Sequence, residues 1–208
     1  ALMLCNPNNP TGQIISREML EEILTICERR KMFLFIDECF LDLTDGGDCL
    51  TMKPYLQTHQ NLFLLKAFTK SYGMAGLRLG YCLCGNAPLL RTMGQTIQPW
   101  NVSVPAQKAG VAALKQTAFL EKAKQTIREQ RAALTGGLRE LGLRVIGSHT
   151  NYILFYSDRE LREPLLEKGI QIRSCANYPG LEAGWYRIAV KLPRENETLL
   201  AALKEILR

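Results

Sequence analysis

Histidine is almost absent from this chain: His59 and His149 are the only two in 208 residues. The seven cysteines never fall at a Cys-x-x-Cys spacing, so no ligand set stands at the separations a zinc site uses. No apolar run approaches the roughly 20 residues that a helix needs to cross a bilayer. Basic residues are spread along the sequence and form no tract, although the net charge is +6 and the pI about 9.0. No basic-aromatic platform or nucleic-acid module is visible, which argues against DNA or RNA as a partner. The opening stretch ALMLCNPNNP has neither the basic flank nor the small-residue cleavage site of a signal peptide, and reads as a buried strand entering a turn. No repeat or low-complexity segment occurs.

What remains is an ordinary globular composition, 47% hydrophobic and 22% charged. The cysteines are odd in number and sit mostly inside apolar runs. This fits free, buried thiols in a reducing cytosol better than a disulfide framework, and predicts a cytoplasmic protein. Continuous apolar runs at Ala1–Cys5, Met32–Ile36, Asn61–Leu65 and Leu79–Leu83 read as strands buried on both faces, some joined through helices. They imply a mostly parallel sheet in an α/β domain. Ser16 caps a helix reaching about Arg30, with Met19, Leu20, Ile23, Leu24 and Ile26 on one side. Helices over Pro105–Lys115 and Phe119–Leu141 follow. Short strands are expected at 144–146, 152–156, 170–173 and 186–190, with helices at 158–168 and from Arg194 onward. The second half thus predicts an α+β domain with its own core. The expected division is 1–116, the C-terminal portion of a large domain, and 117–208, a small C-terminal domain.

Three clusters carry chemistry. Asn6-Pro7-Asn8-Asn9-Pro10-Thr11-Gly12 follows the first strand and offers amide donors and acceptors on a fixed turn. Asp37-Glu38 closes the second strand, where open α/β sheets bind ligands. Thr69-Lys70-Ser71 follows the third strand and leads through a glycine-rich turn to Arg78. A lysine that condenses with an aldehyde must be positioned, and a nearby arginine suits a phosphate. Taken singly, each has a plainer reading: a loop, a strand end, a solvated lysine.

In this order and spacing the three clusters resemble the signature of class I/II aminotransferases, which are fold-type I pyridoxal-phosphate enzymes. The resemblance implies that Lys70 forms the Schiff base with pyridoxal 5'-phosphate. It implies that Asn9 bonds the cofactor's 3-oxygen, Asp37 pairs with the pyridinium nitrogen, and Arg78 binds the phosphate with Thr69 as helper. In this family an arginine on the strand before the last helix holds the substrate carboxylate. Arg187 matches it, and Arg173 is a second candidate substrate ligand. A homodimer is expected of the intact enzyme, acting on a small phosphorylated amino acid, with no metal.

Within the family, the stretch Arg173–Leu181 with its Cys-Ala-Asn-Tyr run, and Lys191, resemble the threonine-phosphate decarboxylases of cobalamin biosynthesis. Phe40, where relatives commonly carry a tyrosine, departs from the general aminotransferase pattern. The resemblance implies decarboxylation of L-threonine O-3-phosphate to 1-amino-2-propanol phosphate. A histidinol-phosphate-type aminotransferase stays open as the alternative, and an inactive fragment or interaction module as a third reading. Family members carry an N-terminal segment before the Asn-Pro motif, with a phosphate-holding turn and a ring-stacking aromatic. The chain therefore reads as a truncated large domain followed by the small one.

Overall fold

A computed structural model describes all 208 residues. The chain divides into two compact units, residues 1–7 with 14–121, and residues 8–13 with 122–208. The division falls inside the helix Thr117–Glu140, and the loop Asn8–Gln13 belongs to the second unit although it follows the first strand.

The first unit holds a four-stranded sheet in the order β1 (Leu2–Cys5), β2 (Leu34–Asp37), β3 (Leu62–Ala67) and β4 (Gly80–Cys84). β1, β2 and β3 are parallel and β4 is antiparallel to β3. The helix α1 (Arg17–Arg29) starts at Ser16, whose Oγ accepts from Met19 N at 3.3 Å. It buries Leu20, Leu24 and Cys27, the i, i+4, i+7 positions of one helical face. Met19 and Ile26 lie off that stripe and are exposed. Leu20, Leu24 and Cys27 join Leu34, Ile36, Met52, Leu62 and Leu64 in one core. Short helices α2 (Gly47–Leu50) and α3 (Phe68–Ser71) follow β2 and β3. Then come α4 (Ala87–Thr96) and α5 (Val104–Ala113), the second opened by Ser103, whose Oγ accepts from Ala106 N.

After α6 (Thr117–Glu140), the second unit builds an antiparallel sheet in the order β5 (Arg144–Val145), β6 (Tyr152–Tyr156), β8 (Trp185–Ala189) and β7 (Arg173–Ser174). Helices α7 (Arg162–Glu167) and α8 (Pro193–Leu207) complete it. Leu134, Leu138, Ile153, Phe155, Leu165, Ile188 and Leu203 form its core. Gly137 is where α6 meets α8: a Cβ there would stand 2.5 Å from Leu200 Cδ1.

The seventh strand begins later than the apolar run 170–173 suggests. Ile170 N donates to Leu165 O and closes the end of α7, so pairing with β8 starts only at Arg173. No helix is long and apolar enough to cross a membrane.

Candidate active site

In a parallel sheet the carboxyl ends of neighbouring strands share one edge, and loops leaving that edge are where α/β proteins bind ligands. β2 ends there on Asp37, and β3 runs there into Phe68-Thr69-Lys70. The two acidic residues at the end of β2 part company. Glu38 is fully buried and accepts from Thr51 Oγ1 at 2.7 Å and from Met52 N at 3.0 Å. Lys66 Nζ lies 3.1 Å from Glu38 and 2.7 Å from Asp42. Burial pulls the Lys66 ammonium down, but the two carboxylates outweigh it and hold its pKa above the ordinary lysine value. Glu38 and Lys66 are thus committed to the fold.

Asp37 is half-buried, and its Oδ1 accepts from Cys39 N at 2.9 Å. The backbone fixes one carboxylate oxygen, and no lysine or arginine pairs with the group, which suits a cationic N–H from a ring. The Cys39 thiol stands beside this carboxylate. Burial first, then the hydrogen bond to Asp37, push its pKa up to about 12.

Lys70 is exposed, and its Nζ lies 5.8 Å from the centroid of the Phe40 ring. An aromatic face steers the ammonium without taking up a proton or a lone pair. Phe40 lies three residues after the end of β2, so the aromatic contact links the segment leaving β2 to α3. Thr69 has no side-chain hydrogen bond. Arg78 sits at φ 51, where its Nη1 reaches back to Ala75 O at 3.1 Å; no other partner holds its remaining N–H groups. A hydroxyl without a partner, an exposed amine and a guanidinium held by one backbone carbonyl, with an aspartate that pairs with no cation, fit the phosphate, aldehyde and ring nitrogen of pyridoxal phosphate.

The other candidates lie in the second unit. The loop Asn8–Gln13 is tied down by Tyr152 Oη donating to Asn8 O at 2.9 Å, His149 N to Gly12 O at 3.0 Å, and Gln13 Nε2 to Gly147 O at 2.6 Å. Gly12 takes φ +72, and a Cβ there would overlap Ser148 Oγ at 2.1 Å. Asn9 Oδ1 accepts a hydrogen bond from Arg187 Nη1, while the Arg187 guanidinium lies 5.5 Å from the Tyr152 ring centroid. Arg173 is the register partner of Arg187 across β7 and β8. Asn9, Arg173 and Arg187 are therefore one cluster, and Asp37, Thr69, Lys70 and Arg78 belong to the other unit. Lys191 stands apart from both sets: its Nζ pairs with Glu195 at 2.8 Å on the surface.

Three participants escape a sequence reading. Cys39 carries no signal of its own, and Asn177 shows in the sequence only as part of the Cys-Ala-Asn-Tyr run, without a role. Lys66 carried one, because a lysine inside the apolar run Leu62–Ala67 demands a buried carboxylate partner.

The mostly parallel sheet and the separate antiparallel sheet match the α/β fold of solved aminotransferases. Residues 1–203 match the family described as aminotransferase class I and II, and the chain belongs to that family. It is 37% identical to the threonine-phosphate decarboxylase of Salmonella typhimurium over 99% of its length, and spans 57% of that relative. Among solved structures, the histidinol-phosphate aminotransferase of Clostridium acetobutylicum superposes with a TM-score of 0.93 at 30% identity, covering 99% of this chain and 63% of the other. That of Sinorhizobium meliloti in complex with pyridoxal-5'-phosphate gives a TM-score of 0.85 at 25% identity, over 99% of this chain and 56% of its own.

Proposed function

We propose that this chain carries the cofactor lysine and substrate arginines of a pyridoxal-phosphate enzyme that decarboxylates L-threonine O-3-phosphate, giving 1-amino-2-propanol phosphate and CO₂. The observation that carries the reading is the Arg173–Arg187 pair: two guanidiniums opposite one another, neither in an ion pair, suit a substrate with more than one anionic group. The likeness to the Salmonella decarboxylase supports the choice.

Each residue has a task. Lys70 would condense through Nζ with the cofactor aldehyde and later deliver a proton to the substrate's Cα. Asp37, through its carboxylate, would hold the proton on the cofactor's ring nitrogen. Arg78 and Thr69 would bind the cofactor phosphate, and Asn9, through Nδ2, its 3-oxygen. Pyridoxal phosphate, when bound, supplies a ring that takes up the electron pair left at Cα when a bond there breaks. Which bond breaks depends on which lies perpendicular to that ring. Arg187 and Arg173, by gripping the anionic ends of the substrate, would set this rotation, which is positioning catalysis.

The second reading, transamination of histidinol phosphate, is favoured by the TM-score of 0.93 to the Clostridium enzyme. Both reactions need Lys70. Borohydride reduction of the full-length protein with its cofactor, followed by peptide mapping, should place the pyridoxyl label on Lys70. Stoichiometric label elsewhere with full activity would sink the assignment. CO₂ release from threonine phosphate without an oxo-acid acceptor is the expected activity. Conversion of histidinol phosphate with 2-oxoglutarate, while threonine phosphate stays inert, would establish the alternative.

A further inference from the structure

Arg173 and Arg187 are Cα partners across the β7–β8 ladder. Like charges directly opposed on neighbouring strands repel. A site built only to keep these strands together would set a carboxylate beside them. Instead, each guanidinium is held by an amide oxygen. Arg187 Nη1 donates to Asn9 Oδ1, and Arg173 Nη2 donates to Asn177 Oδ1 at 3.1 Å. An amide oxygen accepts a hydrogen bond without net charge, so it fixes the direction of the fork and leaves both positive charges uncancelled.

We propose that Asn177 is a positioning residue for phosphate selectivity: its neutral amide aims the Arg173 guanidinium and preserves that charge for the substrate's phosphoryl group. The proposal rests on the phosphorylated-substrate reading above. Its framework is the turn Cys175–Tyr178, closed by Tyr178 N donating to Cys175 O at 3.0 Å. Cys175 is fully buried under the turn, and its N donates to Trp185 O at 2.8 Å. The turn is thereby fastened to β8, the strand that carries Arg187. One strand therefore sets the positions of the second arginine and of the amide that aims the first.

An aspartate at 177 separates charge preservation from simple bracing. Asn177→Asp keeps the size and the acceptor, and tightens the contact to Arg173, but it cancels the charge. A residue that merely braced the loop would tolerate it. Asn177→Ala removes the brace and leaves the charge. The experiment compares these two variants with wild type as full-length holoenzymes, with the melting temperature recorded for each. The readouts are KM and kcat for threonine O-3-phosphate, and the calorimetric Kd of inorganic phosphate with the cofactor site filled. Asn177→Ala should raise KM about threefold and Asn177→Asp about tenfold, the scale of one partly exposed ionic contact, with kcat moving less. The phosphate Kd should follow the same order. Asn177→Asp binding phosphate as tightly as wild type would overturn the proposal, as would equal losses in both variants or no saturable phosphate binding by wild type. If threonine phosphate and histidinol phosphate are both inert on wild type, the substrate reading fails, and the phosphate titration still decides the role of Asn177.

Discussion

An uncancelled carboxylate charge decides what Asp37 can do. Its Oδ1 accepts from Cys39 N and no lysine or arginine pairs with it, whereas the adjacent Glu38 is saturated by Thr51, Met52 and Lys66. Asp37→Asn should therefore lower kcat of the full-length enzyme by two orders of magnitude or more, roughly 2.7 kcal/mol of barrier, with an unchanged circular dichroism spectrum. Near-normal turnover would make Asp37 a structural residue. The thiols give a second expectation at this scale. Cys39 is pushed up to about 12 from an ordinary 9.0, whereas Cys49 is exposed. Thiolate is the reactive form, so iodoacetamide at pH 8 should label Cys49 well before Cys39. The sign of the linked stability effect follows. Between 9.0 and about 12 the unfolded chain gives up the Cys39 proton that the folded chain keeps, so stability falls as pH rises through that window. Fast labelling of Cys39 in the native protein, mapped by mass spectrometry, would contradict the burial.

At the scale of elements, the Glu38–Lys66–Asp42 network ties the residues leaving β2 to β3, next to Asp37 at the end of β2 and ahead of α3, which carries Lys70. Removing one member of a buried pair strands the other's charge, at about 3–5 kcal/mol. Lys66→Met should cost that much in urea unfolding, and adding Glu38→Gln should recover a large part of it. No recovery in the double variant would mean that the loss comes from packing and not from charge. The elements differ in how readable they are. α1 was legible from its Ser16 cap and apolar stripe, and β6 from its unbroken run Tyr152–Tyr156. α4 was not, because Pro88 and Gly94 interrupt a ten-residue stretch and none of its residues is buried. The order of the three clusters was enough to place the chain in its family. The pairing of Asn9 with Arg187 was out of reach, since it depends on residues 178 positions apart meeting in one unit. The same holds for the amide that holds Arg173, because an exposed asparagine in a turn has no periodicity to betray it.

On the scale of the whole chain, the two units differ in what they leave exposed. The second shows only Leu166 and Leu192 among its large hydrophobics, whereas the first exposes Met3, Phe33, Ile97, Trp100, Val104, Val111, Leu114 and Phe119, with Trp100 at 96%. Exposed apolar surface of this extent marks a place where something else packs. The first unit also offers few groups to a phosphate: Thr69 and an exposed Arg78, whose guanidinium reaches back to Ala75 O. A dianion that gives up its hydration needs several preorganised donors, and an exposed arginine spends part of its interaction on being ordered around the ligand. The 208-residue polypeptide by itself should therefore bind pyridoxal phosphate weakly, with a Kd of about 0.1 mM or above, and turn over little or no threonine phosphate. It should also enhance the fluorescence of a hydrophobic dye and sediment as more than a monomer, because the apolar surface of the first unit is left uncovered. The measurement is a titration followed by the absorbance of the cofactor, run beside the same titration of the full-length protein. Stoichiometric micromolar binding with normal kcat by the 208-residue polypeptide would show that Thr69, Lys70, Arg78 and Asp37 suffice to hold the cofactor.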